Sequence, residues 1–330
     1  MINKLLAWLL TWLSAVSKEV VLITYNLFKI MIPIIIIVKI IEELGGIKYI
    51  AMALEPFMNL VGLPASMGLV WATTMITNIY GGMIIFMSNV SNENLSIAQV
   101  TVLGSMMLIA HALPIEVRIA QKAGVRVLFT LLLRIGGALL LGWLLHQVYS
   151  MGDYLSATNQ PVWKPPQITD NSIITWAIDQ LKMLFQVFII ISVLVLFLKV
   201  LKLSGIEKLF ALILQPLLKI LGLSQRTTSI TIVGITLGLT YGGGLLINEA
   251  NKGELSKMDV FGSLSLLALA HSLIEDTLLI MLLGADLSGI LYARLIFSIV
   301  LIAIIMQFVK SIRMALFKKY FVYQHEVTKL

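Results

Sequence analysis

The chain has 330 residues with a net charge of +7, and 59% of them are hydrophobic while 12% are charged, about half the charged share of an ordinary globular domain. A mean hydropathy of +0.97 over that length excludes a soluble domain and indicates an all-α polytopic membrane protein with the lipid bilayer as its first partner. The absence of cysteine removes disulfides, thiolate metal ligands and cysteine nucleophiles, and the scattered lysines form no aromatic–basic stripe of the kind that binds nucleic acid.

Residues 1–19 open with Lys4, the apolar run LLAWLLTWL and SAVS, which could pass for a signal peptide. Lys4, Thr11, Ser14 and Lys18 fall on one helical stripe, however, with Leu5, Trp8, Leu9, Trp12 and Leu13 around the rest. That pattern predicts a helix lying in the membrane interface, with its tryptophans at headgroup depth. Residues 20–149 then form a first unit: a long apolar helix at 20–43 and an amphipathic segment at 47–60, whose polar positions 48, 55 and 59 share a face. Next comes a stretch, 66–91, interrupted by ITNIYGG, and then helices near 96–122 and 126–149. The linker 150–171, with Asp153, Asn159, Pro161, Pro165, Pro166 and Asp170, is the one long polar stretch. Residues 172–312 repeat the parts: a helix at 173–203, an amphipathic segment at 206–220, a stretch at 226–251 interrupted by LTYGGG, and helices at 256–283 and 288–312. Residues 313–330 make a basic tail.

The second unit copies the first. Lys48, Glu55, Pro56, Asn59, Gly62 and Leu63 meet Lys208, Gln215, Pro216, Lys219, Gly222 and Leu223 at a constant offset of 160 residues. Ser105, Ala110, His111, Leu113 and Glu116 meet Ser265, Ala270, His271, Leu273 and Asp276 at the same offset, and Arg134 meets Arg294. YGG at 80–82 meets YGG at 241–243, one residue out of register.

The interrupted stretches decide the topology. If each crosses the membrane, a unit spans four times and the copies lie parallel. If each enters and turns back at YGG, a unit spans three times and the copies are inverted. On the second count Arg118, Lys122 and Arg126 share a side with Lys252, Lys257 and the basic tail, while loops 88–95 and 283–290 and the linker contribute only Lys164 to the other. Basic residues collect on the cytoplasmic side, so two inverted repeats are expected, each with three spanning helices, an interfacial helix and a re-entrant hairpin. Both termini are then cytoplasmic and the linker periplasmic, in a cell inner membrane. Hairpin backbone at membrane depth is tolerated where protein or a polar cavity covers it, and facing hairpins in inverted repeats place a binding site near the midplane.

His111 and Glu116 flank Pro114, which is expected to kink its helix; His271 and Glu275 are four apart, next to Asp276. Ionisable groups at this depth cost about 3 kcal/mol or more each and face a cavity or a partner. Arg134 and Arg294 are the available charge partners for Glu116 and Asp276, which gives the group a structural reading beside a binding one. As a metal set, His111, Glu116, His271, Glu275 and Asp276 suit a divalent first-row cation; the same groups serve a proton relay equally well. At the interruptions, Thr77, Asn78, Tyr80, Gly81 and Gly82, with Thr240, Tyr241, Gly242, Gly243 and Gly244, are candidate substrate contacts or simply the makings of a compact turn. Glu249 lies either in the cavity or at the hairpin base, with the base favoured.

The order helix, interfacial helix, hairpin, broken helix and closing helix, twice over, resembles the Gate, or nucleoside-recognition, domain. Concentrative nucleoside transporters share it with the membrane domain of FeoB-type ferrous-iron transporters. The resemblance implies gated or elevator-type alternating access for a small solute or ion, in a homo-oligomer, with a divalent cation and a nucleoside-like organic solute standing level as substrate. No G-x-x-x-x-G-K-[ST] phosphate loop is present, so a coupling ion (H+ or Na+) or a partner protein is expected to supply any driving force. No resident cofactor is expected. The rival reading is a non-transporting membrane factor that uses the same scaffold for envelope or developmental assembly. An enzyme is not expected: H-E-x-x-H is absent and no Ser–His–Asp spacing stands out.

Overall fold

A computed structural model describes residues 2–90, 94–163, 172–253 and 255–323, and within them the side chains of residues 2–10, Thr240 and Tyr241, among others, are outside the description. In chain order the first set of helices is α1 (Ile2–Glu43), α2 (Ile47–Leu60), α3 (Met67–Ile76), α4 (Ile79–Val90), α5 (Ile97–Ile109), α6 (Leu113–Lys122) and α7 (Val127–Gly152). The second is α8 (Ile173–Leu203), α9 (Ile206–Lys219), α10 (Gln225–Leu237), α11 (Leu239–Asn251), α12 (Lys257–Ala270), α13 (Glu275–Met281), a π-helical turn over Ser288–Ala293 running into α14 (Arg294–Ser311), and a terminal α15 (Met314–Tyr320). Six stretches are long and apolar enough to cross a membrane: Ser14–Ile41, Ile97–Lys122, Val127–Gly152, Ile173–Val200, Lys257–Met281 and Ser288–Ser311. The α1 helix has no break near residue 19, because neither glycine nor proline interrupts it before Pro33, so the expected interfacial helix 1–19 is the first part of a longer helix.

The chain divides into two compact units that cut across the repeats, one comprising 1–47 with 164–207 and the other 48–163 with 208–330. In the first, α1 packs on α8, and Lys199 pairs with Glu19 at 2.6 Å. The second holds everything else, and there the two copies exchange partners. Helix α5 packs on α7 and on the π-helical turn, and α12 packs on α14 and on α7. Each long helix after a hairpin is therefore clamped by the closing helices of both copies.

Backbone conformation repeats with the sequence. Gly62 (φ 71°) and Gly222 (φ 67°) end α2 and α9 in the left-handed region that glycine adopts without penalty. The helices carrying the histidines are broken outright, at Ala112 (φ 45°) and Ser272 (φ 46°), which again differ by 160. Pro114 is not the cause of the break. It stands in the first turn of α6, where its missing N–H costs nothing, and the second copy breaks with no proline at all. A non-glycine residue held in this region costs about 1–2 kcal/mol, so surrounding contacts must impose it twice.

Those contacts come from the hairpins. Helix α3 folds back on α4, and α10 on α11. The turns fall at Thr77–Asn78 and at Gly238, not at YGG as the sequence predicts, because the Asn78 Oδ1 accepts the Gly81 N–H at 2.9 Å and starts the returning helix early. The YGG glycines instead occupy the first turn of the returning arm at its closest approach. A Cβ on Gly82 would collide with the Thr74 Oγ1, and one on Gly242 with the Gly234 Cα. Each hairpin then reaches a helix break: Ala112 N–H donates to the Thr74 carbonyl at 3.1 Å, and Leu273 N–H to the Ile235 carbonyl at 2.8 Å. The returning arms cross over, α4 onto α13 and α11 onto α6.

Residues 153–163, the first half of the expected linker, are tied to both copies at one end of this unit. Ile97 N–H donates to the Ala157 carbonyl (2.9 Å), Asn159 N–H to the Leu95 carbonyl (2.8 Å), and Trp163 N–H to the Leu282 carbonyl (3.1 Å). Residues 164–171, with Pro165, Pro166 and Asp170, lie outside the described residues. The tail packs at residues 122–126: Arg126 N–H donates to the Phe321 carbonyl at 2.9 Å, and Tyr323 N–H to the Gly124 carbonyl at 2.7 Å.

The glycine contacts separate two neighbouring positions. Gly242→Ala forces backbone apart and is expected to cost about 1–3 kcal/mol, whereas Gly244→Ala, inside α11 with open space around it, is expected to gain up to about 1 kcal/mol. Thermal unfolding of both variants in detergent reads the difference; equal midpoints contradict the packing described.

Candidate functional site

The site lies within the second unit, where the broken ends of α5 and α12 meet. His111 and His271 stand at the breaks. The His111 Nδ1 is 3.1 Å from the Met107 carbonyl and the His271 Nδ1 is 2.6 Å from the Leu267 carbonyl, four residues back in each case. A carbonyl only accepts, so each Nδ1 carries the hydrogen and each Nε2 points away from its own helix end. The two Nε2 atoms, one from each copy, face each other at 3.1 Å. The Glu116 Oε1 sits 3.1 Å from the His111 Nε2 and 3.2 Å from that of His271. The Asp276 Oδ2 is 3.8 Å from the His111 Nε2 and has no hydrogen-bond partner among the described residues. All four side chains are buried, between 2% and 8% exposed.

The arginines are fully buried and begin identically. The Arg134 Nε donates to the Ile109 carbonyl at 2.7 Å and the Arg294 Nε to the Leu269 carbonyl at 3.0 Å, each capping the end of its own copy's broken helix with a cation. Beyond that they diverge. The Arg134 Nη1 pairs with the Glu116 Oε2, as the sequence leads one to expect. The Arg294 Nη2 donates instead to the carbonyls of His271 (2.9 Å) and Leu108 (3.3 Å), and no bond to Asp276 forms. The expected Arg294–Asp276 pair is therefore absent among the described contacts. Asp276 is one methylene shorter than Glu116, its counterpart.

Six of the sequence candidates thus converge: His111, Glu116, Arg134, His271, Asp276 and Arg294. Glu275 begins α13 beside Asp276 but joins none of the cluster's hydrogen bonds. At the first hairpin the Thr77 Oγ1 donates to the Thr73 carbonyl at 2.7 Å, and Asn78 caps α4, so both build the turn. Tyr80 is buried within electrostatic reach of Glu275 and Asp276. Gly81, Gly82, Gly242 and Gly243 are packing positions; a Cβ on Gly243 would strike the Ile119 side chain of α6 at 2.6 Å. The side chains of Thr240 and Tyr241 are outside the described ones. Glu249 belongs to the hairpin base, where Lys252, hydrogen-bonded at 2.9 Å, and Arg226 hold its carboxyl below the usual carboxylate range.

Several functional elements carry no residue-type signal. The carbonyls of Met107 and Leu267, which set the imidazole tautomers, are backbone groups. The left-handed residues Ala112 and Ser272 differ in type, although the repeat offset pairs them. The π-helical turn that delivers Arg294 is seated by the Asp286 N–H on the Thr101 Oγ1 at 2.8 Å, a contact between the copies.

Six apolar helical stretches and a centre of ionisable groups buried among them define a multi-pass membrane protein. The chain is similar to the uncharacterized membrane protein YvoD of Bacillus subtilis (strain 168), with 24% identity over 281 residues covering 84% of this chain and 88% of the relative. No protein-family model and no solved structure matches it.

The ion pair in this centre predicts a strong asymmetry between single and paired substitutions. Arg134→Met strands the buried Glu116 carboxylate and is expected to lose about 3–5 kcal/mol, while Arg134→Met with Glu116→Leu recovers most of it. A double-mutant cycle on denaturant unfolding in micelles measures the coupling; additive effects contradict a direct pair.

Proposed function

We propose that this membrane protein is a secondary transporter that carries a small ion or polar solute by gated or elevator-type alternating access, with the His111–His271 centre as its site. The observation that carries the reading is the convergence of one buried histidine, carboxylate and arginine from each repeat at two helix breaks, each touched by a hairpin. Broken helices place backbone ends and side chains at a site near mid-membrane, and such irregular backbone occurs where it lines a polar path. Ionisable groups in spanning helices commonly mark ion pathways or proton relays.

The inverted arrangement of the repeats belongs to this reading. The strap 153–163 bonds to residues near both 95 and 282, which fits a topology in which those loops share one face and opposes four spans per unit. The hairpin arms, α3 and α4, are each too short to cross a bilayer alone and pack on each other. Alternating access then moves hairpins and half-helices about the breaks, where the left-handed residues concentrate strain. No nucleotide-binding motif is present in the sequence, which fits a cycle driven by an ion gradient or by a partner protein. The Gate-like reading from sequence fits the same mechanism.

Two measurements test the proposal. Proteoliposomes holding the chain should take up an ion or solute down an imposed H+ or Na+ gradient, and His111→Ala or His271→Ala should abolish uptake; vesicles inert to every cargo class overturn the transport reading. Because the chain has no native cysteine, Asn94→Cys and Lys252→Cys can be labelled one at a time with an impermeant maleimide. Opposite sides are expected, and labelling from a single side removes the inverted repeat.

A further inference from the structure

We infer that the cluster of His111, His271 and Glu116 binds a divalent first-row transition cation as the transported substrate; the cargo role rests on the transport reading above, whereas the binding itself does not. Three acceptor atoms meet at one point: the Nε2 atoms of His111 and His271 and the Glu116 Oε1 lie 3.1, 3.1 and 3.2 Å apart. Lone pairs cannot face one another at these distances in a buried site without a positive charge between them. Three ligands each about 2.1 Å from one ion stand about 3.0 Å apart on the face of an octahedron and about 3.4 Å apart in a tetrahedron. The observed triangle lies between the two and nearer the octahedral face, the two-imidazole, one-carboxylate arrangement that leaves further positions open.

The supporting shell is the one a metal site requires. A metal-binding imidazole donates its other ring N–H to a fixed acceptor, and both do so here, to Met107 and Leu267. The ligating carboxylate is held by its second oxygen, which Arg134 engages, so that Oε1 alone faces the imidazoles. Independently of the triangle, the Asp276 Oδ2 is buried, makes no hydrogen bond among the described residues and lies 3.8 Å from the His111 Nε2, beside the three ligand atoms and not among them, where its carboxyl supports a bound cation from the next shell. Imidazole donors favour iron, cobalt, nickel or zinc over magnesium or calcium, whose ligands are oxygen.

Sharing of a single proton among the same atoms is the competing explanation, and it predicts no metal affinity. The test is a Co2+ titration of the purified full chain in detergent, followed by visible absorption, with equilibrium dialysis for stoichiometry. One Co2+ per chain is expected, with affinity falling at least about tenfold in His111→Gln, in His271→Gln and in Asp276→Asn. Asp276→Asn keeps shape and removes no hydrogen bond of Oδ2, so it remains informative if a histidine variant fails to fold. His146→Gln, altered on α7 where the His146 Nδ1 meets the Ser150 Oγ at 3.2 Å, should bind as the parent does. Wild-type protein that binds no stoichiometric Co2+, or binding unchanged in all three cluster variants, overturns the inference. Co2+ bound by the chain but not taken up by vesicles removes the cargo role and leaves the site; uptake of an organic solute by a chain that binds no Co2+ removes the site and leaves transport.

Discussion

The constraint on which the rest of this structure depends is the need to satisfy charge and broken backbone deep within apolar helices. Hydrocarbon offers no hydrogen bonds, so each carbonyl freed at the end of α5 and α12 and each buried charge must find a partner inside the protein. Arg134 and Arg294 meet much of that need. Fully buried, each reaches the exposed carbonyls of a broken helix, and one of them also neutralises a carboxylate. The breaks let two imidazoles leave the helix wall and face each other, and the arginines make the breaks sustainable.

Duplication supplies this arrangement with economy, because a contact that works in one copy recurs in the other. The tautomer-setting bonds, the capping arginines and the left-handed residues all recur 160 positions apart. The centre is nevertheless asymmetric. Glu116 reaches both Arg134 and the imidazoles, while Asp276, shorter by a methylene, approaches His111 and leaves Arg294 to the backbone. A symmetric scaffold around an asymmetric centre brings both copies to one shared cluster instead of two equivalent ones. The hairpins reinforce this by crossing, so that each returning arm packs on the half-helix of the other copy.

The bilayer class, the helix positions and the duplication were legible in the sequence because they rest on residue type and spacing. Apolar runs of spanning length, interrupted by glycine-rich motifs, and rare polar residues recurring at one offset need no three-dimensional information. The identity of the cluster was legible for the same reason, since histidine, carboxylate and arginine stand out against an apolar background. Details of the backbone were less so. Pro114 drew attention away from the break at Ala112, and YGG drew attention away from turns at Asn78 and Gly238, because the responsible contacts are carbonyl acceptors and a local side-chain cap.

What the sequence by itself determined is therefore a membrane chain written twice, with six chemically unusual residues placed at matching positions. What only the tertiary structure decided is that those residues meet: that His111 touches His271 and not merely resembles it, that Glu116 reaches both of them, and that Asp276 lies beside His111 with no hydrogen bond to its Oδ2 among the described residues. The physical reason is that sequence periodicity orders residues along and around one helix, whereas contact across 160 residues follows from which helices pack together. That choice depends on the summed shapes of apolar side chains, on close approaches at glycines such as Gly242, and on the carbonyls that each arginine can reach.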